Sequence, residues 1–187
     1  MISEKEIVVL GALEFSSIVV GYMAMDEMVK IAPITILDAR TISSGKYLII
    51  FSGDVASVEY AFSKGRETGV DFIVDSLFLP MIHQDVVSAI GKTIRSDHWD
   101  AIGIIETKSV ISSIEAADAA AKAGKVKIIE IRTADGFGGK SYVKMTGALT
   151  DVQTSMEAGC AKAKAKNTLV MDVILPQPHR EIKPFFM

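Results

Sequence analysis

Gly11-Ala12-Leu13-Glu14 and Gly103-Ile104-Ile105-Glu106 stand 92 residues apart and open two stretches of the chain that read alike. The same offset pairs Asp26 with Asp118, Lys30 with Lys122 and Ile36 with Ile128. It grows to 94 where Gly45-Lys46 meets Gly139-Lys140, Gly53 meets Gly147 and Gly65 meets Gly159. It reaches 96 where Leu79-Pro80 and His83 answer Leu175-Pro176 and His179. Each step of two residues is a short insertion, expected in a loop. Self-similarity kept over this span means one structural unit present twice. The expected domains are therefore 1–95 and 96–187, with residues 91–97 as the link.

Within the first copy, residues 7–15 form an apolar run rich in β-branched side chains, the pattern of a buried strand. Ser16 and Ser17 suit the cap of a following helix. Apolar Ile18, Tyr22, Met25 and Val29 then recur at helical spacing until Pro33 ends the run. Val110, Ile114, Ala117 and Ala121 repeat that stripe in the second copy. Strands are expected over residues 34–40 and 46–52, joined by a Ser-Ser-Gly turn. A second helix over 54–68 carries Val55, Val58 and Phe62 on one face, and a last strand over 72–79 stops at Pro80. The order predicts an α/β (α+β) fold: two tandem ferredoxin-like βαββαβ domains. Each is a four-stranded, mainly antiparallel sheet with its helices on one face. The tail 181–187 is expected to be mobile unless Phe185 and Phe186 dock on a neighbour.

The chain of 187 residues is 49% hydrophobic and 23% charged, enough apolar content for two packed cores. Its net charge of -3 gives no general attraction to nucleic acid or anionic membranes. The longest apolar stretches, 7–13 and 18–25, are too short or interrupted to span a bilayer. The opening Met1-Ile2-Ser3-Glu4-Lys5-Glu6 lacks the basic-then-apolar pattern of a secretion signal. The one cysteine, Cys160, has no partner for an internal disulfide, so a reducing cytoplasm is expected.

With both copies laid out, Gly103-Ile104-Ile105-Glu106-Thr107-Lys108 and Ile114-Glu115-Ala116-Ala117-Asp118, followed by Lys122-Ala123, resemble the opening strand and helix of bacterial microcompartment shell proteins. Leu175-Pro176-Gln177-Pro178-His179 resembles that family's closing motif. The likeness covers nearly the whole chain. Two copies imply the tandem type, a homotrimer that mimics the hexamer of single-domain relatives and is thus a pseudohexamer. Each repeat opens on Gly-x-x-Glu and closes on Pro-x-x-His, the unpermuted order, similar to the T-type subunit of propanediol-utilising microcompartments. The stretch from Thr41 to Lys46, Val74-Asp75-Ser76-Leu77 and Gly138-Gly139-Lys140 carry that closer likeness.

The resemblance implies that the turns before the third strand surround the threefold axis. Ile42-Ser43-Ser44-Gly45 and Gly136-Phe137-Gly138-Gly139 would then line a central pore, with Ser43 and Phe137 at matching positions. In the T-type subunit a cysteine in the first turn holds an iron–sulfur cluster on the axis. Here the matching residue is Ser43, whose hydroxyl is a poor substitute for a thiolate ligand. Cys160 lies in a helix of the second repeat, so no cofactor and no metal are expected. Lys30 and Lys122 match the family's lysine at the edge where tiles meet. Met81 and Gln177 replace the arginine of the closing motif, which predicts altered edge contacts.

Other motifs read as structure. Gly136-x-Gly138-Gly139 lacks dinucleotide spacing and precedes a strand pattern, not a helix. His83, His98 and His179 lack metal-ligand spacing. Lys162, Lys164 and Lys166 mark the wet face of a helix, and Cys160 is a small buried thiol. Glu14 and Glu106 recur near first-strand ends with no basic partner marked beside them. Two near-equivalent repeats offer no asymmetric catalytic cluster, so no enzyme is expected. The resemblance implies a structural tile in a cytoplasmic microcompartment shell, passing small metabolites through its pore and meeting other shell proteins. Two other readings remain open: a redox or iron–sulfur electron conduit, and a trimeric small-molecule-binding regulator.

Overall fold

A computed structural model describes residues 7–96 and 99–186; Asp97 of the expected link, His98, Met187 and residues 1–6 lie outside the described residues. The chain splits into two compact units, Met1–Gln84 and Asp85–Met187.

The first unit runs β1 (Val9–Phe15), α1 (Ile18–Ile31), β2 (Thr35–Ile42), β3 (Lys46–Ser52), α2 (Val55–Thr68) and β4 (Ile73–Pro80). Its sheet order is β2-β3-β1-β4, with every pair antiparallel, the ferredoxin-like arrangement expected from the element order. Local chemistry sets the helix limits. The Ser17 hydroxyl accepts from Val20 N at 3.4 Å, and Asp54 caps α2 by accepting from Ser57 N at 3.0 Å. α1 stops at Ile31, just before the extended Ala32 that Pro33 demands.

The two helices pack on each other and on β1, so they share one face of the sheet. Phe15, Leu13, Met28, Tyr47 and Phe51 are fully buried between them, each contributing about 1.5–3 kcal/mol of burial. The buried side of α1 is Gly21, Ala24 and Met28, not the expected stripe: Tyr22 and Val29 are exposed, and Ile18 and Met25 are only partly buried. The cause is the Tyr47 ring, which lies where a Cβ on Gly21 would be and therefore selects small residues on the facing helix. On α2, Val58, Ala61 and Gly65 are buried while Val55 is exposed.

The second unit repeats the plan. A short helix α3 (Gln84–Ala89) precedes β5 (Ala101–Thr107), α4 (Val110–Ala123), β6 (Lys127–Arg132), β7 (Ser141–Gly147), α5 (Leu149–Ala165) and β8 (Leu169–Leu175). The sheet order is β6-β7-β5-β8. Even irregularities recur, with a register shift between Ile36 and Asp38 answered by one between Ile128 and Glu130. The expected stripe Val110, Ile114, Ala117 and Ala121 is buried. The first insertion lies in the longer turn after β6. The second, expected in a loop, instead lengthens α5, which has 17 residues against 14 in α2 and is followed by Asn167 at φ 56°.

Two segments differ from expectation. The link is not free chain: Thr93 bridges Glu130, and Gly91 N and Ile94 N donate to Ile131 O and Ile129 O at 2.9 and 2.7 Å. The outer edge of β6 offers backbone groups that need partners, and this segment supplies them. Residues 85–95 thereby belong with the second sheet, and the compact units divide between Gln84 and Asp85, where the sequence expectation put the boundary after residue 95. The tail also folds locally, as a 3-10 turn over Arg180–Phe185. Phe186 packs edge-on to Trp99 at 6.0 Å within the same unit, while Phe185 stays exposed. Among the described residues no helix is long and apolar enough to cross a membrane.

Candidate functional site

The turns between the second and third strands are built differently in the two units. In the first, Ser43–Gly45 makes a single 3-10 turn, with Ser44 and Gly45 at φ 67° and 69°. Ile42 is buried beneath it and serves as an anchor; Ser43 is half-buried, and Ser44 and Gly45 are exposed. In the second, Gly136, Gly138 and Gly139 have φ of 82°, 60° and 84°, a left-handed run that side chains disfavour. Nothing lies within 4 Å of where a Cβ would sit on Gly45, Gly136 or Gly138, so these positions face open space. Gly139 is buried at the base.

Phe137 is exposed to 40%, yet its ring is held. It meets Tyr142 edge-on at 6.2 Å, and the Arg132 guanidinium lies 5.7 Å from its centre.

A basic partner missed in the sequence stands behind each turn. Lys46 pairs with the fully buried Glu14, and Lys140 Nζ lies 2.6 Å from Glu106 Oε1. The lysine follows the last turn glycine, and the antiparallel β1–β3 and β5–β7 pairings carry it to the glutamate. The recurring Gly-Lys dipeptide was the available signal. The sequence expectation that Glu14 and Glu106 lack a basic neighbour is thus corrected: strand pairing brings together residues 32 and 34 apart. The arrangement fixes the root of the turn.

The second unit carries a further cluster that sequence reasoning missed. Glu130 accepts from Thr93 Oγ1 at 2.9 Å, Arg132 Nη1 at 3.1 Å and the Tyr142 hydroxyl at 3.1 Å, and Lys144 Nζ lies 2.7 Å away. Burial pushes the Glu130 carboxyl up, but the hydrogen bonds from Lys144 and Thr93, the Lys144 charge and the Tyr142 hydroxyl together hold it below its ordinary value. Lys144 also donates to Phe186 O at 3.1 Å, fastening the tail.

The remaining candidates are placed as follows. Lys30 pairs with Asp26 and Lys122 with Asp118, each one turn back on its own helix, so both ammonium groups are partly engaged near helix ends. His179 is exposed and its Nδ1 accepts from Glu181 N at 3.3 Å. Among the described residues no three His, Cys, Asp or Glu side chains converge as metal ligands. Cys160 is buried in α5, and burial, with the nearby Asp172 charge, pushes its thiol up to about 11. Lys162, Lys164 and Lys166 are exposed, with Lys166 2.8 Å from Glu115.

Comparison with known proteins matches this geometry on three levels. The BMC domain model matches twice, at residues 9–82 and 101–178. The chain is 39% identical to the bacterial microcompartment shell protein PduT of Citrobacter freundii over 92% of its own length and 94% of that protein. It is 31% identical to the shell protein EutM of Salmonella typhimurium over 46% of this chain and 88% of that one, as expected where a single domain aligns with half of a pair. The crystal structure of a microcompartment protein from Desulfitobacterium hafniense superposes with a TM-score of 0.84 at 39% identity, covering 94% of this chain and 98% of that one.

Proposed function

The chain belongs to the BMC-domain family of microcompartment shell proteins, and on that premise we propose that three copies close into one flat shell tile around a central pore. It is a structural shell component in the cytoplasm, and its family is not catalytic. The observation that carries the reading is the pair of complete, unpermuted domains, each presenting an open-facing glycine turn at the same point of the sheet. Three chains then supply six wedges and six turns to one axis. Ser43, Ser44 and Gly45 line the pore alternately with Gly136, Phe137 and Gly138, and small polar metabolites pass between them.

Surface composition supports a neighbour on α1. Val19 and Tyr22 are 68% and 55% exposed, while their repeat-matched residues on α4, Ile111 and Ile114, are buried. A contiguous apolar surface on one copy of a duplicated helix is the kind that another subunit covers. Lys30 and Lys122 stand near helix ends, where a cationic tip with an apolar stem suits a tile edge shared with other shell proteins.

In this reading the pore holds no iron–sulfur cluster. Ser43 offers a hydroxyl where a thiolate is required, and the one thiol of the chain is buried in α5. That donor set does not fit the group.

Native mass spectrometry tests the closure: the expected species has three times the mass of the 20.1 kDa chain. Electron microscopy of concentrated protein, alone or with a single-domain relative, should show flat arrays or tubes. A monomer that never forms layers overturns the proposal.

A further inference from the structure

Beside the turn of the second unit, a cleft of about 480 Å³ opens between the faces of β6 and β7 and the folded tail. Its volume is that of a small-molecule site. We infer that this cleft binds a small organic anion, its carboxylate or phosphate held by Arg95 and Arg132 and its apolar body against Phe185 and Phe186.

Charge is the first reason. The chain as a whole is negative, yet the lining carries Arg95, Arg132 and Lys144 against the single carboxylate Glu130. Lys144 already neutralises Glu130 from 2.7 Å, so two guanidinium charges remain. Arg95 is exposed and makes no ion pair among the described residues. A guanidinium presents parallel N–H donors that match the paired oxygens of a carboxylate or phosphate.

Rigidity is the second. Glu130 is fixed by four donors, and through it Arg132 and Tyr142 are held in place before any ligand arrives. Preorganisation of this kind lowers the cost of binding.

The third is that duplication does not account for the cleft. The strand register matches Glu130–Lys144 with Asp38–Ile50 and Arg132–Tyr142 with Arg40–Leu48. Only the aspartate–arginine pair survives there, at 2.8 Å. The lysine, the tyrosine and the aromatic tail belong to the second unit alone. Phe185, 83% exposed, gives the open side an apolar wall with nothing yet against it.

The chain's single tryptophan supplies the readout. Trp99 donates its indole N–H to Pro178 O at 3.0 Å and meets Phe186 edge-on, so its emission reports on the tail. Intact, dispersed protein is titrated with phenyl phosphate, benzoate, benzyl alcohol and inorganic phosphate, followed by fluorescence and calorimetry. Saturable binding of phenyl phosphate or benzoate is expected, the tighter of the two identifying the preferred head group, with benzyl alcohol and inorganic phosphate at least tenfold weaker. Arg95→Gln and Arg132→Gln each weaken the organic anion about tenfold or more. Arg95→Gln removes an exposed side chain that makes no ion pair among the described residues, and a thermal melt matching wild type shows that folding does not obscure that arm. Absence of saturable binding at millimolar probe overturns the inference, as do unchanged affinity in Arg95→Gln or equal binding of inorganic phosphate. Assembly is not involved, so failure here leaves the tile reading standing.

Discussion

Glu130 and Lys144 face each other across β6 and β7, with Oε2 2.7 Å from Nζ and both side chains more than nine-tenths buried. Their counterparts across β2 and β3 are Asp38 and Ile50, which form no such pair. Desolvating two charges is offset only when further hydrogen bonds satisfy them. Thr93, Arg132 and Tyr142 do so for the carboxylate, and the Phe186 carbonyl does so for the ammonium. The duplicated fold has thus been given a polar knot in one copy only.

Breaking that knot from one side leaves a buried charge alone. Lys144→Met should destabilise the second unit by about 3–5 kcal/mol. The double variant Lys144→Met/Glu130→Leu should lose less than the sum of its single changes. Urea unfolding followed by Trp99 emission measures both, and strict additivity would show that the two residues act independently.

The same pair predicts an acid response. The folded Glu130 carboxyl titrates below its ordinary value of 4.5, so the unfolded chain takes up its proton first as pH falls. Its contribution is complete above that value and disappears as pH drops through the lower, folded one. The urea midpoint of the second unit should therefore fall on acidification below about pH 4.5, and Glu130→Gln should flatten that part of the profile. Identical acid profiles for both proteins would contradict the assignment.

In the first unit the sharpest packing constraint is Gly21 on Tyr47. A Cβ there would lie 2.4–2.6 Å from Tyr47 Cδ1, Cβ and Cγ, the base of the side chain rather than its movable end. Alanine would gain about 1 kcal/mol of helix propensity, whereas overpacking costs about 1–3 kcal/mol. Gly21→Ala should accordingly be neutral to destabilising by about 2 kcal/mol in thermal unfolding. A more stable variant would mean that α1 can lift from the sheet freely.

Cys160 should be silent in the native protein. With its thiol pushed up to about 11 by burial and Asp172, almost none is thiolate at neutral pH. Iodoacetamide at pH 8 should leave it unmodified until urea is added; rapid native labelling would place it at an accessible surface.

Much of this fold was legible because duplication wrote it twice. The strand and helix order read in one copy was checked by the other; the first insertion fell in a turn as expected, whereas the second added length to α5. What escaped was contact chemistry across strands. Lys46 and Glu14, or Lys140 and Glu106, are joined only once strand register is known. The apolar stripe of α1 misled for a related reason: Tyr22 and Val29 obey helical spacing, but the Tyr47 ring on the facing strand turns the small residues Gly21 and Ala24 inward instead. The segment over residues 91–94 read as a linker because its role is played by backbone groups, which leave no trace in side-chain pattern.

The last prediction concerns Phe137, and it rests on the proposed pore. An exposed cation–π contact contributes about 0.5–1 kcal/mol, and an aromatic pair about 0.5–1.5 kcal/mol. Arg132 and Tyr142 therefore bias the Phe137 ring towards its own sheet by about 1–2 kcal/mol, enough to hold it there most of the time. The wild-type opening should then be only partly narrowed by the ring. In closed shells loaded with a small neutral tracer, Phe137→Ala should speed efflux modestly. Tyr142→Ala, which frees the ring to swing outward, should slow it, and Tyr142→Phe, which keeps the edge contact, should leave it near wild type. Equal efflux from all four proteins would show that Phe137 does not border the passage.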